Sequence, residues 1–239
     1  MAQATGNAKN ILVGASPLFL SSTDITSANY VENAEPGSGV ASGSTTVGVP
    51  SFATGTSYTD TLNSVNMAAG KFGYRNVGYT NNGLQITYNP TYDSVTVDQL
   101  LDTAKLFKSA MEVMIATEMS EGTLENVLVV FGQESDTLSE TGTEGTTDYK
   151  KTLGLEAGAL GSAPTERQLI AVGQGPTSLG TKAERVYYAR RVLSVQQSQF
   201  SLARNTPTTF PVTFRLLPSG DSAYAGQEYG KIIDRVLTA

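Results

Sequence analysis

The sequence contains no cysteine, no histidine and no tryptophan. Without cysteine there is no disulfide, no thiolate nucleophile and no cysteine-held metal. Without histidine the commonest general base and the commonest zinc ligand are missing, and with them every Ser-His-Asp arrangement. The lack of tryptophan weakens a reading as a sugar-binding sandwich, which would offer aromatic platforms. Positive charge is in deficit, with 16 Lys and Arg against 22 Asp and Glu and a net charge of −6. Tight, non-specific DNA binding relies on basic residues neutralising phosphates, so this balance argues against it. It fits solubility or avoidance of polyanions. No apolar run approaches the roughly 20 residues that span a membrane. The opening MAQATGNAKN lacks the basic-then-apolar order of a secretion signal. The chain is therefore expected to be made soluble in a cytoplasm, with no membrane partner. No motif implies a cofactor or metal; the acids show no EF-hand spacing.

What remains is a chain of 239 residues with 39% hydrophobic residues and 24 glycines. That length allows one large domain or two small ones. Many short segments punctuated by Gly, Asn and Pro favour strands and turns over a helical bundle. Residues 10–20 read as a first strand, broken between Gly14 and Pro17. Residues 21–72 read as a long Gly/Ser/Thr-rich loop, or as an arm that orders only against a neighbouring subunit. Val40, Val47, Val49, Phe52 and Tyr58 would give such an arm something to bury.

Residues 84–119 carry the clearest pattern. Leu84, Ile86, Tyr88 and Tyr92 share one parity, with Pro90 in register between the tyrosines, and Gln85, Thr87, Asn89, Thr91 and Asp93 share the other. This alternation is that of a half-buried strand. The parity then switches to Val95 and Val97, which predicts a bulge near Asp93–Ser94. Pro90, which cannot donate to a ladder, predicts a bulge, an edge or a kink. After a connection over 99–107, Met111, Val113, Ile115, Thr117 and Met119 make a second apolar face. Opposite them lie Lys108, Ala110, Glu112, Met114, Ala116 and Glu118. The two runs predict an antiparallel hairpin of strands over 84–98 and 108–119, with one wet face. Strands this long, about 12 to 15 residues, exceed the usual length of about 5 or 6 and suit a wall or barrel.

A helix is predicted over 121–131, where Leu124, Val127, Leu128 and Phe131 recur at helical spacing. Ser120 or Thr123 can cap its start, and Gly132 can end it. Residues 133–148 hold Glu134, Asp136, Glu140, Glu144 and Asp148 without a basic residue and read as a solvated acidic loop. Strands then return in RQLIAVG, in ERVYYARRVLSV, which is apolar on both faces, in TTFPVTFRLLP, and in the closing GKIIDRVL. The expected fold is a single mainly β domain spanning 1–239 with one helix.

The ordered set NVGYTNNGLQITYNPTYDSVTVDQLLDTAKLFKSAMEVMIATEMSEGTLENVLVVFG, followed by RQLIAVGQGP, ERVYYARRVLSV, FSLARNTPTTFPVTFRLLPS and YGKIIDR, resembles the major tail tube proteins of long, non-contractile-tailed bacteriophages. The likeness covers roughly residues 73–132 and 165–236. It implies a tail-tube-type β-sandwich or barrel with one flanking helix, and a long hairpin that joins an inner β-barrel built between subunits. It implies hexameric rings stacked into a tube, located in the virion tail, with synthesis in the host bacterial cytoplasm. The arm roles would fall on residues 1–9 and 33–72. Tape measure protein and phage DNA would pass inside without specific binding, with tail terminator and tail tip proteins at the two ends. The function implied is structural, a self-assembling conduit for DNA ejection, not an enzyme.

Under that reading the hairpin's polar face would line the channel with Gln85, Thr87, Asn89, Thr91, Asp93, Asp98, Lys108, Glu112 and Glu118. Leu84, Ile86, Tyr88, Tyr92, Val95, Val97, Met111, Val113, Ile115 and Met119 would form the hairpin's core face. Alternatives are another virion module, such as a capsid decoration or baseplate protein, a pilus-like subunit, or a carboxylate-dependent hydrolase. The hydrolase would draw on Asp98 with Asp102, or Glu118 with Glu121, as paired acid and base. No surrounding motif marks a pocket for such a pair, and GQGP at 173–176 lacks the Lys and spacing of a phosphate loop.

Overall fold

A computed structural model of the chain describes residues 8–12, 14, 16–26, 30, 73–100, 102–158, 160–161, 164–180, 182–196, 198–202 and 204–236. The arm segments expected over 1–9 and 33–72, with Val40, Val47, Val49, Phe52 and Tyr58, lie outside these residues except for Ala8 and Lys9. The described part is mainly β, antiparallel throughout, with one α-helix.

Its strands are β1 (Leu18–Ser21), β2 (Tyr74–Asn76), β3 (Thr80–Val95), β4 (Lys105–Met119), β5 (Leu138–Thr141), β6 (Lys150–Leu153), β7 (Arg167–Gln174), β8 (Ala183–Ser194), β9 (Phe210–Leu216) and β10 (Gly230–Val236). The helix, α1, is Leu124–Val130. Eight strands form one sheet in the order β2-β1-β7-β8-β9-β4-β3, with β10 also on β8; β5 and β6 form a separate two-stranded ribbon.

The apolar content of β1, β7 and β8 explains their central place. Leu18, Leu20, Leu169, Ala171, Ala189 and Val192 point into one core. Phe19, Ile170, Val172, Val186 and Tyr188 point into a second core on the opposite face. Strands buried on both sides need this near-continuous apolar sequence. The first core also takes Val113, Ile115 and Met119 of β4, Phe210, Val212, Phe214 and Leu216 of β9, and Leu128, Val129 and Val130 of α1. The long sheet therefore curls until β9 and β4 lie over β1, β7 and β8, with the helix closing the side.

Gln168 and Asp24 are buried with partners. The Gln168 Oε1 accepts from the hydroxyls of Tyr74 (2.7 Å) and Tyr188 (3.2 Å) inside the second core. Asp24, fully buried, accepts from the backbone N–H of Thr26 and of Ser135 and from Arg167 Nη2 at 3.3 Å. Burial pushes the Asp24 carboxyl up, but the Thr26 hydroxyl, the Arg167 charge and Ser135 outweigh it, and the net shift is downward. This node joins the chain after β1, the start of β7 and the turn after α1.

The helix begins where Thr123 accepts from the Asn126 N–H, and Gly132 follows its end at φ 65°. It is shorter than the predicted 121–131, and its buried side differs. Asn126, Leu128, Val129 and Val130 are buried, Leu124 and Val127 are half-buried, and Phe131 is exposed. Asn126 displaces the expected stripe because its amide donates to the carbonyls of Val77 and Glu121, both at 2.9 Å. Phe131 instead stacks beside Phe200, with ring centroids 6.1 Å apart.

The acidic segment 133–148 is not wholly a loop. It contains a short 3-10 turn, Ser135–Thr137, and β5. Lys151 of β6 bridges Glu140 of β5 and Glu125 of α1. Partial burial works against the Lys151 charge, yet the two carboxylates hold its pKa above the ordinary lysine value. A cation from the next strand thus organises a run that by itself carries only acids.

Candidate functional site

The feature that distinguishes this fold is the ribbon of β3 and β4. The two strands pair from Thr80↔Met119 to Val95↔Lys105. The segment joining them, 96–104, is as long as the connection predicted over 99–107 but lies three residues earlier, because β3 ends at Val95 and Lys105, Leu106 and Phe107 belong to β4. On the other side of β4, β9 pairs only Met114–Met119. Past Met114 toward the tip, the ribbon is two strands wide and leaves the body of the molecule.

Burial follows that geometry. Val113, Ile115 and Met119 are buried, and Leu84 and Met111 pack partly against the first core. Ile86, Tyr88, Tyr92, Val95 and Val97 were expected as core, yet all five are exposed, Tyr88 at 64% and Tyr92 at 58%. Leu100, Leu106 and Phe107 near the tip are exposed too. The alternation is that of a buried face, but the chain's own body reaches only as far as Met111.

Directly paired residues share a face of an antiparallel ribbon. Gln85, Thr87, Asn89 and Thr91 pair with Ala116, Met114, Glu112 and Ala110, and Asn81 pairs with Glu118. These form one polar face. Ile86, Tyr88 and Pro90 pair with Ile115, Val113 and Met111 on the other. The bulge predicted at Asp93–Ser94 is instead on β4. Pairing passes from Thr91↔Ala110 to Tyr92↔Lys108, which leaves Ser109 as the extra residue.

The place of this extra residue and the end of the ladder at Val95 change four assignments. Lys108 lies on the tyrosine face, not the polar one, with its Nζ 5.9 Å from the Tyr88 ring centroid. Val95, two residues from Asp93 on an uninterrupted β3, stands by alternation on the polar face, where Asp93 is paired with Phe107. Asp98 and Val97 lie in the turn beyond the ladder and belong to neither face. Pro90 sits on a strand whose outer side carries no partner among the described residues, as a residue without an N–H requires.

Sequence reasoning missed Arg215. It pairs across from Met114 on the polar face, and its Nη1 lies 3.8 Å from Glu112 Oε1. The signal was present, since Pro211, Thr213 and Arg215 alternate with Phe210, Val212, Phe214 and Leu216. Its neighbour β4 was not readable from sequence. At the ribbon's base the polar face continues into an open recess of about 260 Å³ lined by Gln85, Ala116, Glu118, Gln196 and Thr213.

Three of the four carboxylates considered for hydrolysis have local tasks. Asp102 accepts from the Thr103 N–H, Glu121 from the Tyr79 N–H at 3.0 Å, and Glu118 from the Asn81 amide at 3.3 Å. Among the described residues no three acids gather to hold a metal ion, and no helix is long and apolar enough to cross a membrane. What the ribbon offers chemically is two strand edges, an apolar tyrosine-rich face and a polar face with three carboxylates, Asp93, Glu112 and Glu118, against two cations, Arg215 and, paired with Val95 near the tip, Lys105. Neither a model of a known protein family nor a curated protein matches the chain.

Proposed function

We propose that this chain is a non-enzymatic structural subunit of a bacteriophage tail tube, which self-assembles into stacked hexameric rings around a conduit for DNA. One observation carries the reading: a ribbon of two long strands stands clear of the body with an exposed apolar face, and its outer edge has no partner strand among the described residues. A two-stranded ribbon in water is marginal on its own. An exposed strand edge is a template for pairing with another chain. Sibling copies arranged around an axis would pair the edges, cover the tyrosine face with neighbouring bodies and turn the polar face toward a bore.

The bore would then present Gln85, Thr87, Asn89 and Thr91, with Asp93, Glu112 and Glu118 repeated by symmetry. Two unit charges about 4 Å apart repel by roughly 1 kcal/mol in bulk water, and the Debye length is about 8 Å at physiological salt. Such a wall prevents adhesion close to its surface and does not drive transport. A free guanidinium there would create a salt-dependent sticking point. Arg215 is partly offset by Glu112 beside it.

The test is self-assembly of the purified protein. Sedimentation and negative-stain microscopy over rising concentration are expected to reveal cylinders above a threshold. A protein that stays monomeric at the highest attainable concentration, with no cylinders in the images, would contradict the proposal.

A further inference from the structure

We propose that Asn82 is a site of spontaneous covalent modification, at which the side-chain amide is converted through a cyclic imide to aspartate and isoaspartate. The reaction needs only water and is independent of any assembly.

The chain holds a single Asn-Gly pair, Asn82–Gly83. It sits where the β3–β4 ladder breaks. Pairing includes Asn81↔Glu118 and resumes at Gln85↔Ala116, so Asn82, Gly83 and Leu84 have no ladder partner of their own. Both residues of the pair lie at positive φ, 59° and 69°. That region costs asparagine energy and costs glycine little, so turning Asn82 back toward extended backbone relieves strain. Both residues are exposed and border the open recess at the ribbon's base. A Cβ built on Gly83 would meet nothing within 4 Å, so the space around this residue is empty. The Thr117 hydroxyl donates to the Gly83 carbonyl at 2.9 Å and anchors the residue while the peptide before it turns.

The turn lets the Gly83 backbone nitrogen attack the Asn82 side-chain carbon Cγ. The N–Cγ bond forms, the Cγ–Nδ2 bond breaks, and the Gly83 amide proton passes through solvent to the departing ammonia. Water then opens the imide. Addition at Cγ gives aspartate, and addition at the backbone carbonyl gives isoaspartate. Each event adds a carboxylate to the recess that Glu118 already lines, and isoaspartate also lengthens the backbone at the bulge.

Every other described asparagine lacks a requirement. Ile11, Val77, Val127 and Thr206, which follow Asn10, Asn76, Asn126 and Asn205, are β-branched and crowd the attacking nitrogen. Pro90, after Asn89, has no N–H. The Asn81 amide is held by Glu118 at 3.3 Å, whereas the Asn82 side chain has no hydrogen bond among the described residues.

The test incubates dilute, folded protein at mildly alkaline pH, beside the same protein unfolded in guanidinium chloride. Trypsin releases residues 76–105 as one peptide, which carries Asn76, Asn81, Asn82 and Asn89. Mass spectrometry with fragmentation should find aspartate and isoaspartate accumulating at Asn82 and amides retained at the other three. Isoelectric focusing should show loss of the starting band to a more acidic one that runs with Asn82→Asp. The folded protein should convert within about tenfold of the unfolded rate, the factor that about 1.4 kcal/mol makes. A folded protein that keeps Asn82 intact while the unfolded chain converts would show that the bulge protects the amide and would overturn the proposal. Conversion of another asparagine ahead of Asn82 would overturn it too.

Discussion

Removing the apolar face of the ribbon should separate folding from assembly. Tyr88, Tyr92 and Leu106 lie on that face and are 64%, 58% and 63% exposed. Fully burying a large apolar side chain is worth about 1.5–3 kcal/mol. With some three-fifths of each side chain still in water, covering the remainder would contribute ~1–2 kcal/mol per residue, or ~3–5 kcal/mol for the three. A factor of ten corresponds to about 1.4 kcal/mol. The triple variant Tyr88→Ser, Tyr92→Ser, Leu106→Ser should therefore raise the assembly threshold by about 100-fold to 4,000-fold. Exposed substitutions change folding stability by only about 0.5 kcal/mol each, so the monomer's melting temperature should move by a few degrees at most. Light scattering reads the first quantity and calorimetry of dilute protein the second. An unchanged threshold, or a large loss of monomer stability without one in assembly, would refute the reasoning.

Two other predictions address the wall and the core. Glu112→Lys with Glu118→Lys leaves Arg215 without its neighbour and makes the polar face basic; DNA ejection from particles carrying it should slow while tube length stays the same, and unaltered ejection kinetics would count against a lining role. Asp24→Asn leaves the Arg167 charge buried without its counter-ion, which should cost about 3–5 kcal/mol in denaturant unfolding. Because the Asp24 pKa is lowered in the fold, its stabilisation is present above the ordinary aspartate value of about 3.9 and is lost as pH falls through the folded value. Wild type should therefore lose stability on acidification below about pH 4, and the Asn variant should lose less over that range.

The mainly β class, the single helix and the runs that became β7, β8, β9 and β10 were legible in period-2 alternation and turn residues, because those signals are local. The long hairpin was legible for the same reason. What sequence could not supply was the reach of the chain's own body. Tyr88 and Val113 have the same kind of pattern and pair directly, yet one is exposed and the other buried. Nor could the parity break at Val95 and Val97 say which strand holds the extra residue. The ribbon placed it at Ser109, which moved Lys108 to the tyrosine face. Asn126 beat the expected stripe of α1 through two hydrogen bonds to backbone carbonyls distant or non-helical in sequence. Arg215 entered the polar face through the β4–β9 pairing, a long-range contact with no sequence signature.

Image reconstruction of the self-assembled protein tests the central claim most directly. The account predicts open-ended cylinders in which each ring places β3 and β4 at the innermost radius, with Gln85, Thr87 and Asn89 facing an empty bore. A reconstruction with the ribbon on the outer surface, or folded back over its own body in an isolated monomer, would contradict it.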